Sequence, residues 1–260
     1  MVPILLPLQE LRLHWAKKLT LSEKNPYPLA PSDLVKMGLV TAENYLAQNL
    51  LFGQFCTSTM ERELLQLSAE PGFANAHKEV QVIGAGLARD LYWLQKAAEL
   101  GMTLTVRDVS GVACANARML GERLGIDSQM ECLEGEFENG WAQSEETPLV
   151  TYASQFIQVQ SIRKMRRIMK CFGSLLRTPE DEPRRRLYLV HPLPEDNDTP
   201  RSWNNIQLPA PKWGDSLLYK AEDCLKYARC GLNGNVELDI LGKHDYFHQK
   251  YSFLRLMPGK

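Results

Sequence analysis

Residues 80–90 read Val-Gln-Val-Ile-Gly-Ala-Gly-Leu-Ala-Arg-Asp. A short apolar run of Val80, Val82 and Ile83 ends in a Gly-x-Gly turn at Gly84 and Gly86. After it, the spacing of Leu87, Leu91, Leu94 and Ala98 predicts a helix over 87–100. Strand, tight glycine turn and helix in succession commit this part of the chain to an α/β unit. Such a turn lets the backbone approach a nucleotide closely and aims helix N–H groups at it. A second run, Leu104 to Val106, leads through Arg107 to Asp108. A carboxylate about twenty residues beyond the glycines is where ribose hydroxyls would be held.

The alternation continues. β-rich runs at 80–84, 104–108, 130–133, 149–152 and 186–190 are separated by helical patterns, among them 112–124 and 159–172. Strands alternating with helices imply a parallel sheet with right-handed crossovers. The end of the chain differs. A helix over 217–229 is followed by β-runs at 235–241 and 247–257, with only residues 242–246 between them. Strands joined so closely must pair antiparallel. The expected fold is therefore α/β: a seven-stranded, mostly parallel sheet closed by a C-terminal antiparallel hairpin. Residues 1–75 read as helical, with one helix starting at Thr41, a further helical segment over 61–69, and Pro71-Gly72 as the break. We expect an N-terminal helical cap over 1–75 and a nucleotide-binding domain over 76–260.

With 260 residues, the chain can bury one sizeable α/β core. A net charge of −1 lacks the basic excess of a nucleic-acid binder, so no nucleic-acid partner is favoured. Nothing approaches the ~20 apolar residues of a membrane span. The apolar start carries Pro3 and Pro7 and no basic residues ahead of it, unlike a signal peptide. The six cysteines form no C-x-x-C pair and the five histidines no ligand motif with them. They read as reduced, mostly buried thiols of a cytoplasmic protein without a metal site. The basic runs at 163–167 and 184–186 read as solvated faces, the second on an acidic loop.

Five βα units and a closing hairpin resemble the class I S-adenosylmethionine-dependent methyltransferases over residues 76–260. The dinucleotide pattern Gly-x-Gly-x-x-Gly/Ala would put a small residue at position 89, where Arg89 stands. The methyltransferase pattern, acidic-x-Gly-x-Gly-x-Gly, maps instead onto Val82, Gly84, Gly86 and Ala88. Alanine replaces the last glycine and valine replaces the acid. The resemblance implies that S-adenosylmethionine is the cofactor, held by Gly84, Ala85, Gly86 and the ribose acid Asp108. By the same mapping Glu136, Phe137 and Asn139 line the adenine pocket. The stretch 152–156, with Ser154, lies under the methionine part and the substrate. Asp90 stands near enough in sequence to replace the missing motif acid.

A sulfonium cofactor is already activated, so methyl transfer needs an in-line nucleophile and a route for its proton. Tyr27, Tyr152 and His191 are the candidate catalytic residues. His191, after the fifth strand, reads either as a base facing the pocket or as a partly exposed loop histidine. Tyr27, between Pro26 and Pro28, either closes over the cofactor or packs the cap on the core. Tyr152 has a core role as its other reading. Methylation of a small-molecule acceptor by a monomer or homodimer is the expected activity. The alternative keeps the cofactor and changes the reaction. Attack of its own amino group on Cγ would release methylthioadenosine and close azetidine-2-carboxylate. A partner protein that has lost the chemistry is a third reading, kept open by Val82. Nicotinamide-dependent reduction is disfavoured by Arg89 and the terminal hairpin.

Overall fold

A computed structural model describes residues 41–135, 147–157, 162–180, 182–196, 201–203, 206–208, 219–246 and 249–259. The sheet core starts from five parallel strands: β1 (Glu79–Ile83), β2 (Thr103–Asp108), β3 (Met130–Glu134), β4 (Val150–Ser154) and β5 (Arg186–Pro192). The short β6 (Arg201–Trp203) and β7 (Ile206–Leu208) pair with each other. The closing hairpin is β8 (Val236–Tyr246) and β9 (Gln249–Pro258), and β9 lies antiparallel against β5. The resulting order is β3-β2-β1-β4-β5-β9-β8, the mostly parallel seven-stranded sheet that the pattern of the sequence predicts.

Strand alternation sends side chains to two separate cores. Val80, Val82, Leu104, Val106, Val150, Tyr152, Tyr188 and Val190 face helices α1 (Ala42–Ser68), α2 (Leu94–Glu99) and α3 (Gly111–Leu124). Ile83, Ala153, Leu187, Leu189, Leu254 and Leu256 face α4 (Ile162–Leu175) and α5 (Ala221–Leu232). Every residue of β5 is buried, as befits a central strand covered on both faces.

Helix α1 is one continuous element of 27 residues, not two segments. Thr41 caps it by accepting the Asn44 N–H at 3.2 Å. Its buried stripe of Phe52, Cys56, Met60, Leu64 and Leu67 belongs to the first core. Gly53 leaves room for the Arg89 carbonyl to press against the helix, where a Cβ would collide with it.

Two further expectations are corrected. The helix predicted over 87–100 is only Leu94–Glu99, and residues 84–93 form successive turns instead. Ala88 adopts a left-handed φ of +54°, and the N–H groups of Ala88, Leu91 and Leu94 reach carbonyls three residues back. Leu87, Leu91, Leu94 and Ala98 are buried as the periodicity implies, so the apolar pattern survives although the helix does not. The second correction concerns the arginines at 184–186. Arg185 and Arg186 are buried, not solvated. Arg185 donates to Thr147 O and Glu182, while Arg186 meets Glu63 at 3.6 Å and pairs with Glu70.

Candidate functional site

In an open α/β sheet, ligands bind beyond the carboxyl ends of the strands where the chain order reverses. Here that point lies between β1 and β4, since β2 flanks β1 on one side and β4 on the other. The Gly-x-Gly turn stands directly above it. Gly84 and Gly86 have φ of +74° and +53°, and a Cβ built on Gly86 would meet nothing within 4 Å among the described residues. That open space above a glycine backbone is what a closely approaching ligand needs.

Hydrogen bonds join the turn to the next two elements. Gly84 N–H donates to Arg107 O at 2.9 Å. Gly86 N–H donates to Asp108 Oδ2 at 3.1 Å, and Ser110 N–H donates to Asp108 Oδ1 at 2.8 Å. Asn116, on α3, donates to Gly86 O at 3.2 Å. The backbone carbonyl of Asp108 in turn accepts the Gly135 N–H at 2.9 Å. The register Ile83↔Ala153 sets Ser154, the last residue of β4, level with Gly84. Thus Gly84, Ala85, Gly86, Asp108 and Ser154 gather at one end of the sheet. Tyr27, Glu136, Phe137 and Asn139 lie outside the described residues.

Tyr152 and His191 stand apart from this group. Tyr152 is fully buried on the face toward α1, and its hydroxyl donates to Asp90 Oδ2 at 2.9 Å. Its ring meets Trp93 edge-on, with centroids 5.0 Å apart. Burial first, then the charge of Asp90, pushes its phenol well above the usual range. Asp90 is thereby committed to Tyr152 and is itself buried. His191 lies inside β5 and is fully enclosed, so the loop histidine of the sequence reading is not found. Its ring stacks on Tyr219, with Nε2 3.1 Å from Tyr219 O and 3.3 Å from Tyr219 N. Burial pushes its pKa down to about 4, which keeps it neutral near pH 7. Nδ1 has no hydrogen-bond partner among the described residues.

Sequence reasoning missed a second cluster. Arg89 donates to Asn49 Oδ1 at 2.6 Å, Tyr246 OH at 2.9 Å and Gln155 Oε1 at 2.7 Å. Its guanidinium also lies over the rings of Phe52 and Tyr246. One side chain thus ties the turn after β1 to α1, to the end of β4 and to the closing hairpin. Its only sequence signal was a bulky cation in a slot where a dinucleotide site needs a small residue. Beside it, Gln155 takes a left-handed φ of +53°, and Phe156 turns back so that its ring lies across Gly84.

No protein-family model matches the chain, and no curated protein matches it. Solved structures do share its fold. Magnesium protoporphyrin IX methyltransferase from Synechocystis PCC 6803, with bound SAH, superposes with a TM-score of 0.56 at 14% identity, covering 85% of this chain and 89% of that one. N,N-8-amino-8-demethyl-D-riboflavin dimethyltransferase from Streptomyces davawensis gives 0.53 at 14% identity, covering 92% and 64%. An O-methyltransferase family protein from Burkholderia thailandensis gives 0.51 at 13% identity, covering 96% and 70%. The chain therefore has the Rossmann-like methyltransferase fold, including the closing antiparallel hairpin.

Proposed function

We propose that this chain binds S-adenosylmethionine above Gly84–Gly86 and transfers its methyl group to a small-molecule acceptor. The observation that carries the reading is the Gly86–Asp108 junction at the switch point between β1 and β4. It puts an open glycine backbone and a carboxylate side by side at the ligand-binding end of the sheet. The cofactor's adenosine end fits this arrangement. Asp108 has lone pairs left for ribose hydroxyls after accepting two backbone N–H groups. Glu136, Phe137 and Asn139 are assigned to the adenine, and Ser154 to the methionine end. Bound there, the sulfonium supplies an electrophilic methyl carbon, so the protein has to orient an acceptor and take its proton.

Residues 76–260 form the catalytic domain in this proposal, and residues 1–75 cap it, with Tyr27 over the cofactor. Arg89 links that cap to the binding turn through Asn49 of α1. His191, fully enclosed and apart from the glycine turn, is assigned the role of holding the Tyr219 backbone rather than taking the proton. Tyr152 acts as a positioning residue, holding Asp90 and through it residues 84–93.

Incubating the full chain with S-adenosylmethionine and no acceptor tests the reaction. Methyl transfer predicts little or no methylthioadenosine. Its rapid release without an acceptor would overturn methyl transfer in favour of ring closure. Calorimetry showing that neither S-adenosylmethionine nor S-adenosylhomocysteine binds would overturn both.

A further inference from the structure

We infer that the ring of Phe156 is the sulfonium contact of this site: an aromatic ring laid on the glycine turn of a chain that has valine where the methyltransferase pattern carries an acid. The inference rests on the proposed cofactor and deepens it.

The geometry begins at Gly84. A Cβ built there would lie 2.8 Å from Cδ2 of Phe156, 3.4 Å from its Cγ and 3.5 Å from its Cβ. Only glycine lets the ring lie flush on the turn. The approach is arranged by the backbone. Gln155 N–H donates to Val190 O at 2.9 Å, continuing the β4–β5 ladder by one bond. The left-handed φ of Gln155 then reverses the chain, carrying Phe156 back over the end of β1. A non-glycine residue in that conformation is uncommon, so packing must hold it there.

Neither Val82, at the motif-acid position, nor Asp90 offers a free carboxylate at this end of β1. Val82 is in the core with 1% of its surface exposed. Asp90, the nearest acid in sequence to the turn, is buried and accepts the Tyr152 hydroxyl. A trivalent sulfonium is a diffuse cation without N–H or O–H donors, so it cannot hydrogen-bond. The negative face of an aromatic ring attracts such a cation through its quadrupole. After methyl transfer the cofactor becomes a neutral thioether, and the attraction is lost. Phe156 therefore discriminates the charged cofactor from its product.

That discrimination is the test. Calorimetric titration of the full chain with S-adenosylmethionine and with S-adenosylhomocysteine gives an affinity ratio. Phe156→Leu is expected to lower S-adenosylmethionine affinity roughly 3- to 30-fold while leaving S-adenosylhomocysteine within about two-fold. Phe156→Trp is expected to keep or raise the preference, since indole offers the stronger face. Should the leucine variant fold poorly, a fluorinated phenylalanine at position 156 keeps the shape and weakens the negative face. It is expected to lower only S-adenosylmethionine binding. Equal losses for both ligands, or no change in their ratio, would overturn the sulfonium contact and leave the cofactor assignment standing. Failure of the unmodified chain to bind either ligand would overturn both.

Discussion

Gly86 and Asp108, 22 residues apart, are joined by a backbone N–H that donates to the carboxylate at 3.1 Å. The other oxygen of Asp108 takes the N–H of Ser110, the N-cap of α3. The carboxylate so sits at the positive end of a helix, where its charge is favoured. Asp108→Asn would set an amide N–H₂ against one of those backbone donors. We expect a stability loss of about 1–3 kcal/mol in denaturant unfolding. S-adenosylhomocysteine affinity should fall roughly 10- to 100-fold, since a charged acceptor is lost. A variant that binds as tightly as the parent would remove Asp108 from the proposed ribose contact.

Gly84 meets two constraints at once, a φ of +74° and the Phe156 ring. Gly84→Ala should cost about 1–2 kcal/mol for the backbone alone, and more for displacing the ring. Adding Phe156→Ala should restore only the second part. The double-mutant cycle should therefore show a favourable coupling of about 0.5–3 kcal/mol. Simple additivity would mean that the ring and the turn do not touch.

The Glu63 carboxylate is a buried anchor between α1 and the sheet. It accepts from Tyr188 at 3.0 Å and from Arg255 at 2.8 Å, and lies 3.6 Å from Arg186. Glu63→Ala leaves Arg186, itself 4% exposed, with part of its buried charge uncompensated. Breaking one side of such a buried network costs about 3–5 kcal/mol. Chemical denaturation should show the midpoint falling accordingly. Replacing Glu63, Arg186 and Arg255 together by apolar residues should cost less than Glu63→Ala alone.

His191 makes stability depend on acid. Its folded pKa is pushed to about 4 by burial, below the ordinary histidine value of 6.5. The unfolded chain therefore binds the proton more readily, and stability rises with pH between those limits. The contribution is fully present above about pH 6.5 and is lost as pH falls toward about 4, on the order of 3 kcal/mol in total. Thermal melts across that window should show a steep decline in the parent and a shallower one in His191→Phe. Parallel curves for the two proteins would locate the acid sensitivity elsewhere.

How far the sequence was legible depends on the range of the interactions involved. Leu87, Leu91, Leu94 and Ala98 marked the buried side correctly, yet a helix over 87–100 did not follow. Periodicity reports which residues face the core. It does not report that Arg89 is held by α1 and the hairpin, or that Asp90 is held by Tyr152, and those tertiary bonds shape residues 84–93. The arginines at 184–186 misled for the same reason. Arg185 does pair with Glu182 of the adjacent acidic loop, but the Arg186 partners Glu63 and Glu70 lie 116 or more positions away and were not visible in the local sequence. The meeting of Gly84, Gly86, Asp108 and Ser154 at the carboxyl end of the sheet was legible because strand ends and register place them. Phe156 was legible only as part of a stretch, and its seat on Gly84 was not.

The sequence by itself determined the order of strands and helices, the parallel sheet and the antiparallel closure. Those follow from hydrophobic period and from loop length, which are local quantities. Only the tertiary structure decided that the glycine turn opens into a run of turns, that Asp108 clasps Gly86, and that Phe156 covers Gly84. Each of those depends on two segments meeting in space. Their energies come from hydrogen bonds and contacts that a linear pattern does not encode.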